Sequence, residues 1–599
     1  MTAGRGTLFT CAASDIIVPA LCMTSSDNQS RSDGVNQSNA IDVLCVIILI
    51  AYFLHFALPA LGGAFSEDEM MSVYIHWFTG TLKSLWENVC FWKGIGRPGG
   101  ALYYLPLYHF FRLNPQPYRI AQISVLAASI PMVYHLARLL ASSRSVAFLG
   151  VLAFCYHAQL ANLVFSGSGI YDALCGFFYF AALTYYIHIR EKGLLLRPTQ
   201  CVGFLALYIC ALNVKEMAVT LPVIVLIYEL LKYAHELERP RFFRWILHDA
   251  LPALVAGAIT AIYLYNKIYG PGFAGNFTTE FVEHSREPAG LPSWVVAALE
   301  LYTPHYSWRR FTESNAHFVS ELFYLVPNYV LTGGMLLAIW ALLFVYAFLR
   351  RDRMLQLMAF WVVITPLPLA FISPRGGVRL YLLLFGWAMI FAKLATDVIT
   401  LISKCLTLLG QSGAVGAATQ ANVVVAATSH VRWPAIKAAA GAMRGNTSPV
   451  MFRAFATVLV AFALAVFTQW ENQRFGRIRA LLKSGQKTLH VIQAFGSLNV
   501  RPAPGSLILL RPEKHFQQKG YYLASFASLA PNDPLRELIV EHSPRYWGCV
   551  ASLAWGDRSL RMHIEDQHHQ LTEEQTAKMN YIISFDEFQA KLIRGPPPG

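Results

Sequence analysis

Apolar residues come in long blocks along this chain, and the charges fall between the blocks. The blocks lie at 41–63, 119–141, 146–164, 170–189, 200–213, 217–233, 249–268, 323–349, 355–373, 379–401 and 451–469. A helix needs roughly 20 apolar residues to cross the hydrocarbon of a bilayer. The pattern therefore predicts a mainly α, polytopic transmembrane helix bundle of about eleven spans. The first block is too long for a signal-peptide core, and no small-residue cleavage pattern follows it, so it is expected to stay as an anchor.

The sequence from 470 onward changes character. SLILLR (506–511), LIVEHS (538–543) and YIISFDEF (581–588) alternate with polar, helix-like stretches. That alternation predicts a small α/β domain over 470–599. HIEDQHHQ (563–570) matches no standard metal-ligand spacing and reads as a solvated face. The closing RGPPPG is expected to be disordered.

Composition agrees with the pattern. Of 599 residues, 55% are hydrophobic and only 14% are charged, too few charges for the surface of a soluble protein this size. Cys45, Cys155, Cys175 and Cys210 lie inside apolar blocks, as small buried hydrophobes do. The net charge of +13 has a topological explanation. Lys and Arg collect in alternate connections: Arg138 and Arg144; Arg190, Lys192 and Arg197; Lys232, Arg239, Arg241 and Arg244; Arg350, Arg351 and Arg353; Lys404, Arg432, Lys437 and Arg444. The positive-inside rule makes these cytosolic. Residues 1–40 then form a disordered cytoplasmic N-terminus, 41–401 a transmembrane domain and 402–450 a cytoplasmic linker. Residues 451–469 form the last span. Outside lie the loops 64–118 and 269–322 and the tail domain 470–599. Gln, Asn, Ser and His interrupt 411–430 and argue against a further crossing there. No nucleic-acid motif claims the basic residues.

The chemistry gathers at one membrane edge. Glu67, Asp68 and Glu69 follow the first span, and Ser66-x-x-Glu69 has the spacing of a capping box. After them Met70, Met71, Tyr74, Trp77 and Phe78 recur at helical spacing, as on an interfacial helix. A solvated, capped helix start would explain these residues without any function. Arg97, His157, Asp172, Lys215, Glu216, Arg375, Arg379 and Tyr381 fall on the same outer side. Each has a plain structural reading: Asp172 as a helix cap, Lys215 and Glu216 as a pair closing a hairpin, Arg97 and Arg379 as snorkelling side chains, Tyr381 as an interface anchor. Their agreement on one side favours a site.

In order along the chain, these pieces resemble the GT-C superfamily of membrane glycosyltransferases, and most nearly its protein O-mannosyltransferase type. The acidic pair Asp68-Glu69 follows the first span, Arg97-Pro98 comes later in the first loop, and LNPQPYR (113–119) leads into the second span. The stretch from His157 to Asp172, the segment Lys215-Glu216-Met217-Ala218 with Leu221-Pro222, and Arg379-x-Tyr381 complete the likeness. Ala158 stands where the relatives usually carry Pro, and Leu380 separates Arg379 from Tyr381.

The resemblance implies an inverting enzyme that moves a sugar from a polyprenyl-phosphate donor to an acceptor hydroxyl outside the membrane. The acceptor is a protein, lipid or glycan. Asp68 is expected to be the base, with Glu69 as helper or capping partner. Arg379 and then Lys215 are expected on the leaving phosphate. Arg97, His157, Asp172, Glu216 and Tyr381 complete the expected substrate contacts. No cofactor is required. A divalent cation, Mg or Mn, is compatible with Asp68 and Asp172. A bacterial inner membrane is the expected location. A transporter or flippase of lipid-linked sugars is the alternative, although no internal repeat or midplane charge supports it.

Overall fold

In a computed structural model, the described residues are 29–93, 97–233, 245, 249–269, 308–323, 332–368, 380–419, 449–475, 477–498, 500–513, 547–565, 571–586 and 588–595. Arg375, Arg379, most of the loop 269–322, and the expected strand at 538–543 lie outside them.

The chain is built as an integral membrane protein. Five helices are long and apolar enough to cross a bilayer: Asn39–Gly62, Pro115–Ala141, Gly167–Glu191, Tyr381–Thr407 and Val450–Arg474. A sixth candidate is a bent pair, Arg144–Cys155 with Ala158–Phe165, broken by 42°. The expected span 146–164 falls on this pair, which is bent at its middle. Tyr156 and His157 are extended, and His157 caps the next turn by accepting the Gln159 N–H at its own Nδ1, 3.2 Å away.

Four of the expected spans are shorter apolar helices: Pro198–Val214, Leu251–Asn266, Gly333–Leu349 and Arg353–Ile364. A helix of that length, at 1.5 Å per residue, falls short of a hydrocarbon core of about 30 Å. The expected span 323–349 starts only at Gly333, and Trp308–Phe323 is a separate helix. At the ends, the first helix already begins at Gln29, inside the segment expected to be disordered, and the helix from Tyr381 runs on to Thr419, into the expected linker.

Helix Ile170–Glu191 lies at the centre, packed chiefly between Pro115–Ala141 and Pro198–Val214. Beside it an aromatic cluster fixes the core: Phe180, Trp361, Phe385, Phe154 and Tyr381 have ring centroids 4.8–6.4 Å apart. Interlocked rings of this kind have few alternative packings, so they hold the helix ends in fixed positions. The last span is the opposite case. It exposes Phe455, Val458 and Phe462, the surface that lipid would cover.

The tail forms the expected small α/β unit. Its strands are β1 (Leu507–Pro512), β2 (Arg561–Ile564), β3 (Tyr581–Phe585) and β4 (Ala590–Arg594), in the order β2-β1-β3-β4. β1 runs parallel to β2 and β3, and β3 is antiparallel to β4. Ile508, Leu509 and Leu510 of β1 are fully buried, as a central parallel strand requires. The expected solvated face at His563 is instead part of β2. The tail packs on helix Ala101–Phe111, where the Tyr108 hydroxyl donates to the Leu553 carbonyl at 2.7 Å.

Candidate functional site

The acidic helix Glu67–Thr79 starts as its sequence says. Ser66 is the N-cap, and the Ser66 N–H donates back to the Glu69 carboxylate at 3.3 Å. The buried face is Glu69, Met70, Val73, His76 and Trp77. This differs from the expected apolar stripe, because it includes a carboxylate and an imidazole. Ile75 and Phe78 point outward instead.

Glu69 and Asp68 part company. Glu69 is fully buried, and its two oxygens meet Arg119 at 2.6 and 3.2 Å. Arg119 also donates to the Ala64 carbonyl at 2.7 Å and to Gln122 at 3.2 Å. Gln122 in turn donates to the carbonyls of Leu163 and Ser166. Gly167 lies against the Glu69 carboxylate so closely that a Cβ there would overlap it. Glu69 therefore joins three chain segments and has no free oxygen for a substrate proton. Asp68, one residue earlier, is exposed, and its carboxylate has no ion pair among the described residues. Only its backbone carbonyl is engaged, by the Ser72 hydroxyl at 2.8 Å.

A second chain of contacts starts about two turns further along the same face. His76 Nε2 and the Tyr171 hydroxyl are 3.0 Å apart, and the His76 ring stacks on Tyr104 at 5.8 Å. The Arg97 guanidinium lies over the Tyr171 ring at 5.4 Å and grips Glu216 with two bonds, at 3.1 and 3.3 Å. Two glycines make this approach possible. A Cβ on Gly99 would lie 2.6 Å from Val214, and one on Gly100 would lie 2.6 Å from Tyr171 and 2.7 Å from His76 Nε2. The Pro98-Gly99-Gly100 turn thus threads backbone through a gap that no side chain fits.

Asp172, in the first turn of helix Ile170–Glu191, pairs with Lys215, and both are buried. The carboxylate also suits the positive end of that helix. Lys215 ends helix Pro198–Val214 in an extended conformation, and a 3-10 turn Glu216–Thr220 follows. Successive side chains of extended backbone point to opposite sides. Lys215 pairs with Asp172, and Glu216 pairs with Arg97.

Two more expected residues, His157 and Tyr381, are among those described. His157 caps a turn, beside Tyr156, whose ring stacks on Phe56 at 4.8 Å. Tyr381 is 4% exposed and packs between Phe154 and Gly176 in the core, rather than at the interface. Sequence reading missed His76, Tyr104, Arg119, Gln122 and Tyr171. Arg119 carried a usable signal, a charge at the start of an apolar span.

Electrostatics follows from burial. Burial disfavours charge on Arg97, but the Glu216 carboxylate more than offsets this and leaves its pKa raised. Burial alone pushes His76 down from 6.5 to about 4. A histidine neutral when folded and protonated when unfolded contributes stability that is complete above pH 6.5. That contribution is lost as the pH falls towards about 4. The thermal midpoint of the wild type is expected to fall more steeply over that window than that of His76→Gln. Parallel slopes would show that His76 plays no such part.

Among the described residues, no group of three or more His, Cys, Asp or Glu gathers at metal-binding distance. Asp172 is held by Lys215.

No family model matches the sequence, and no curated protein matches it. Among solved structures, the chain is similar to ArnT from Cupriavidus metallidurans bound to undecaprenyl phosphate, at a TM-score of 0.39 and 15% identity, over 88% of this chain and 86% of that one. A likeness of that size carries no conclusion about family or chemistry.

Proposed function

We propose that the protein is an inverting glycosyltransferase of GT-C type that moves a sugar from a polyprenyl-phosphate donor to an acceptor hydroxyl at the outer interface of its membrane. The observation that carries this reading is the pairing pattern. Three carboxylates are already bound to cations, Glu69 to Arg119, Asp172 to Lys215 and Glu216 to Arg97, while Asp68, next to Glu69, is exposed and has no ion pair among the described residues.

In this reading Asp68 takes the proton from the acceptor hydroxyl. The hydroxyl oxygen attacks the anomeric carbon, and the bond from that carbon to the phosphate oxygen breaks. The lipid phosphate leaves with the electron pair. Its charge is met by Arg97, 36% exposed and so within reach, and by Lys215. Arg379 is proposed as a third cation, from outside the described residues. Attack from the face opposite the leaving group inverts the anomeric centre.

The test is purified protein in liposomes with radiolabelled polyprenyl-phosphate sugars and a cell-envelope extract. Covalent transfer of label is expected, and Arg97→Ala should raise the KM for donor about tenfold while leaving acceptor KM unchanged, as loss of one charged contact implies. Movement of the labelled lipid across the bilayer without transfer would show a flippase and overturn the reading.

A further inference from the structure

A second group of side chains meets at the seam between the tail and the first outer loop. The rings of Trp77 and Tyr108 lie 5.8 Å apart. The Arg558 guanidinium, from the turn before β2, sits over Trp77 at 5.2 Å, and the Arg112 guanidinium sits over Tyr108 at 5.4 Å. The Tyr108 hydroxyl, bonded to the Leu553 carbonyl, ties the two sides together.

Both arginines are exposed, and neither has a carboxylate partner among the described residues. Asp557, next to Arg558 in sequence, instead accepts the backbone N–H and the hydroxyl of Ser559, at 2.8 and 2.7 Å. Arg112 is also strained. Its φ is 52°, a left-handed conformation that favours glycine. A glycine would end helix Ala101–Phe111 there more comfortably.

We propose that Arg112 and Arg558 form a clamp for a phosphate group carried by the acceptor. A guanidinium fork matches two phosphate oxygens, and two forks match the double charge of a phosphate monoester. Assigning the phosphate to the acceptor rests on the transferase reading. Trp77 is nine residues beyond Asp68 on the acidic helix, about 13 Å along its axis. That separation calls for an acceptor larger than one sugar ring.

The test is a binding measurement and needs no transfer, so its failure is distinct from failure of the enzyme reading. The full chain in phosphatidylcholine nanodiscs is titrated with dioctanoyl phosphatidic acid. Arg112→Gln and Arg558→Gln should each weaken binding by about tenfold or more, as loss of a charge-assisted contact implies. Lys591→Gln, an equal charge loss on β4, should not weaken it. Arg112→Gly should also lose binding while its thermal midpoint stays level or rises. Inorganic phosphate should compete, and acetate at the same concentration should not. Equal binding by all variants, equal binding of dioctanoylglycerol, or equal competition by acetate would each overturn the clamp. A lowered midpoint for Arg112→Gly would overturn it too, by making the guanidinium structural.

Discussion

Asp68→Asn is expected to lower the rate of sugar transfer by about 10³-fold, within the range for loss of a positioned base. The substitution keeps the shape and removes the proton acceptor. It should leave the fold intact, because the Asp68 carboxylate is exposed and supports no ion pair among the described residues. Loss of its charge at the helix start should cost only about 0.3–1 kcal/mol. The effect should fall on kcat, with donor KM little changed, since the base acts only as the hydroxyl attacks. Initial rates with purified variant and lipid-linked donor, alongside a thermal melt, check both halves. A folded variant with near-normal kcat would remove Asp68 from the chemistry.

Glu69→Ala is expected to do the opposite: it should destabilise the protein by about 3–5 kcal/mol, because removing one partner of a buried pair strands the other. Arg119 and Glu69 are both 0% exposed, and the pair ties the acidic helix to the second span. Activity would fall only as folded protein is lost. The double variant Glu69→Leu/Arg119→Met should recover much of the loss, since an apolar pair leaves no buried charge. Thermal midpoints of the single and double variants in detergent give the coupling. If the double variant lost the sum of the two single losses, the two residues would not be acting as a pair.

These two outcomes separate adjacent residues that look alike in sequence. Asp68 and Glu69 are both acids at a helix start. What divides them is the rotation of about 100° between successive side chains on a helix and the position of an arginine fifty residues later. The capping box needed only local spacing, so Ser66-x-x-Glu69 was readable. The Arg119 pairing needed the fold. The same holds at Lys215 and Glu216, whose partners Asp172 and Arg97 lie on other segments of the chain.

The sequence by itself determined what depends on local pattern. The apolar blocks, the helix start at Ser66, the change of composition at the tail and the collection of charges between spans are all properties of neighbouring residues. Span lengths were less readable, because hydropathy does not show where 3-10 turns and extended residues such as Tyr156 and His157 break a helix. Only the tertiary structure decided which charges meet. Electrostatic pairing depends on distance through space, and the partners here lie 43 to 119 residues apart along the chain. It also brought Arg112 and Arg558 to one seam, where nothing in either local sequence announces the other.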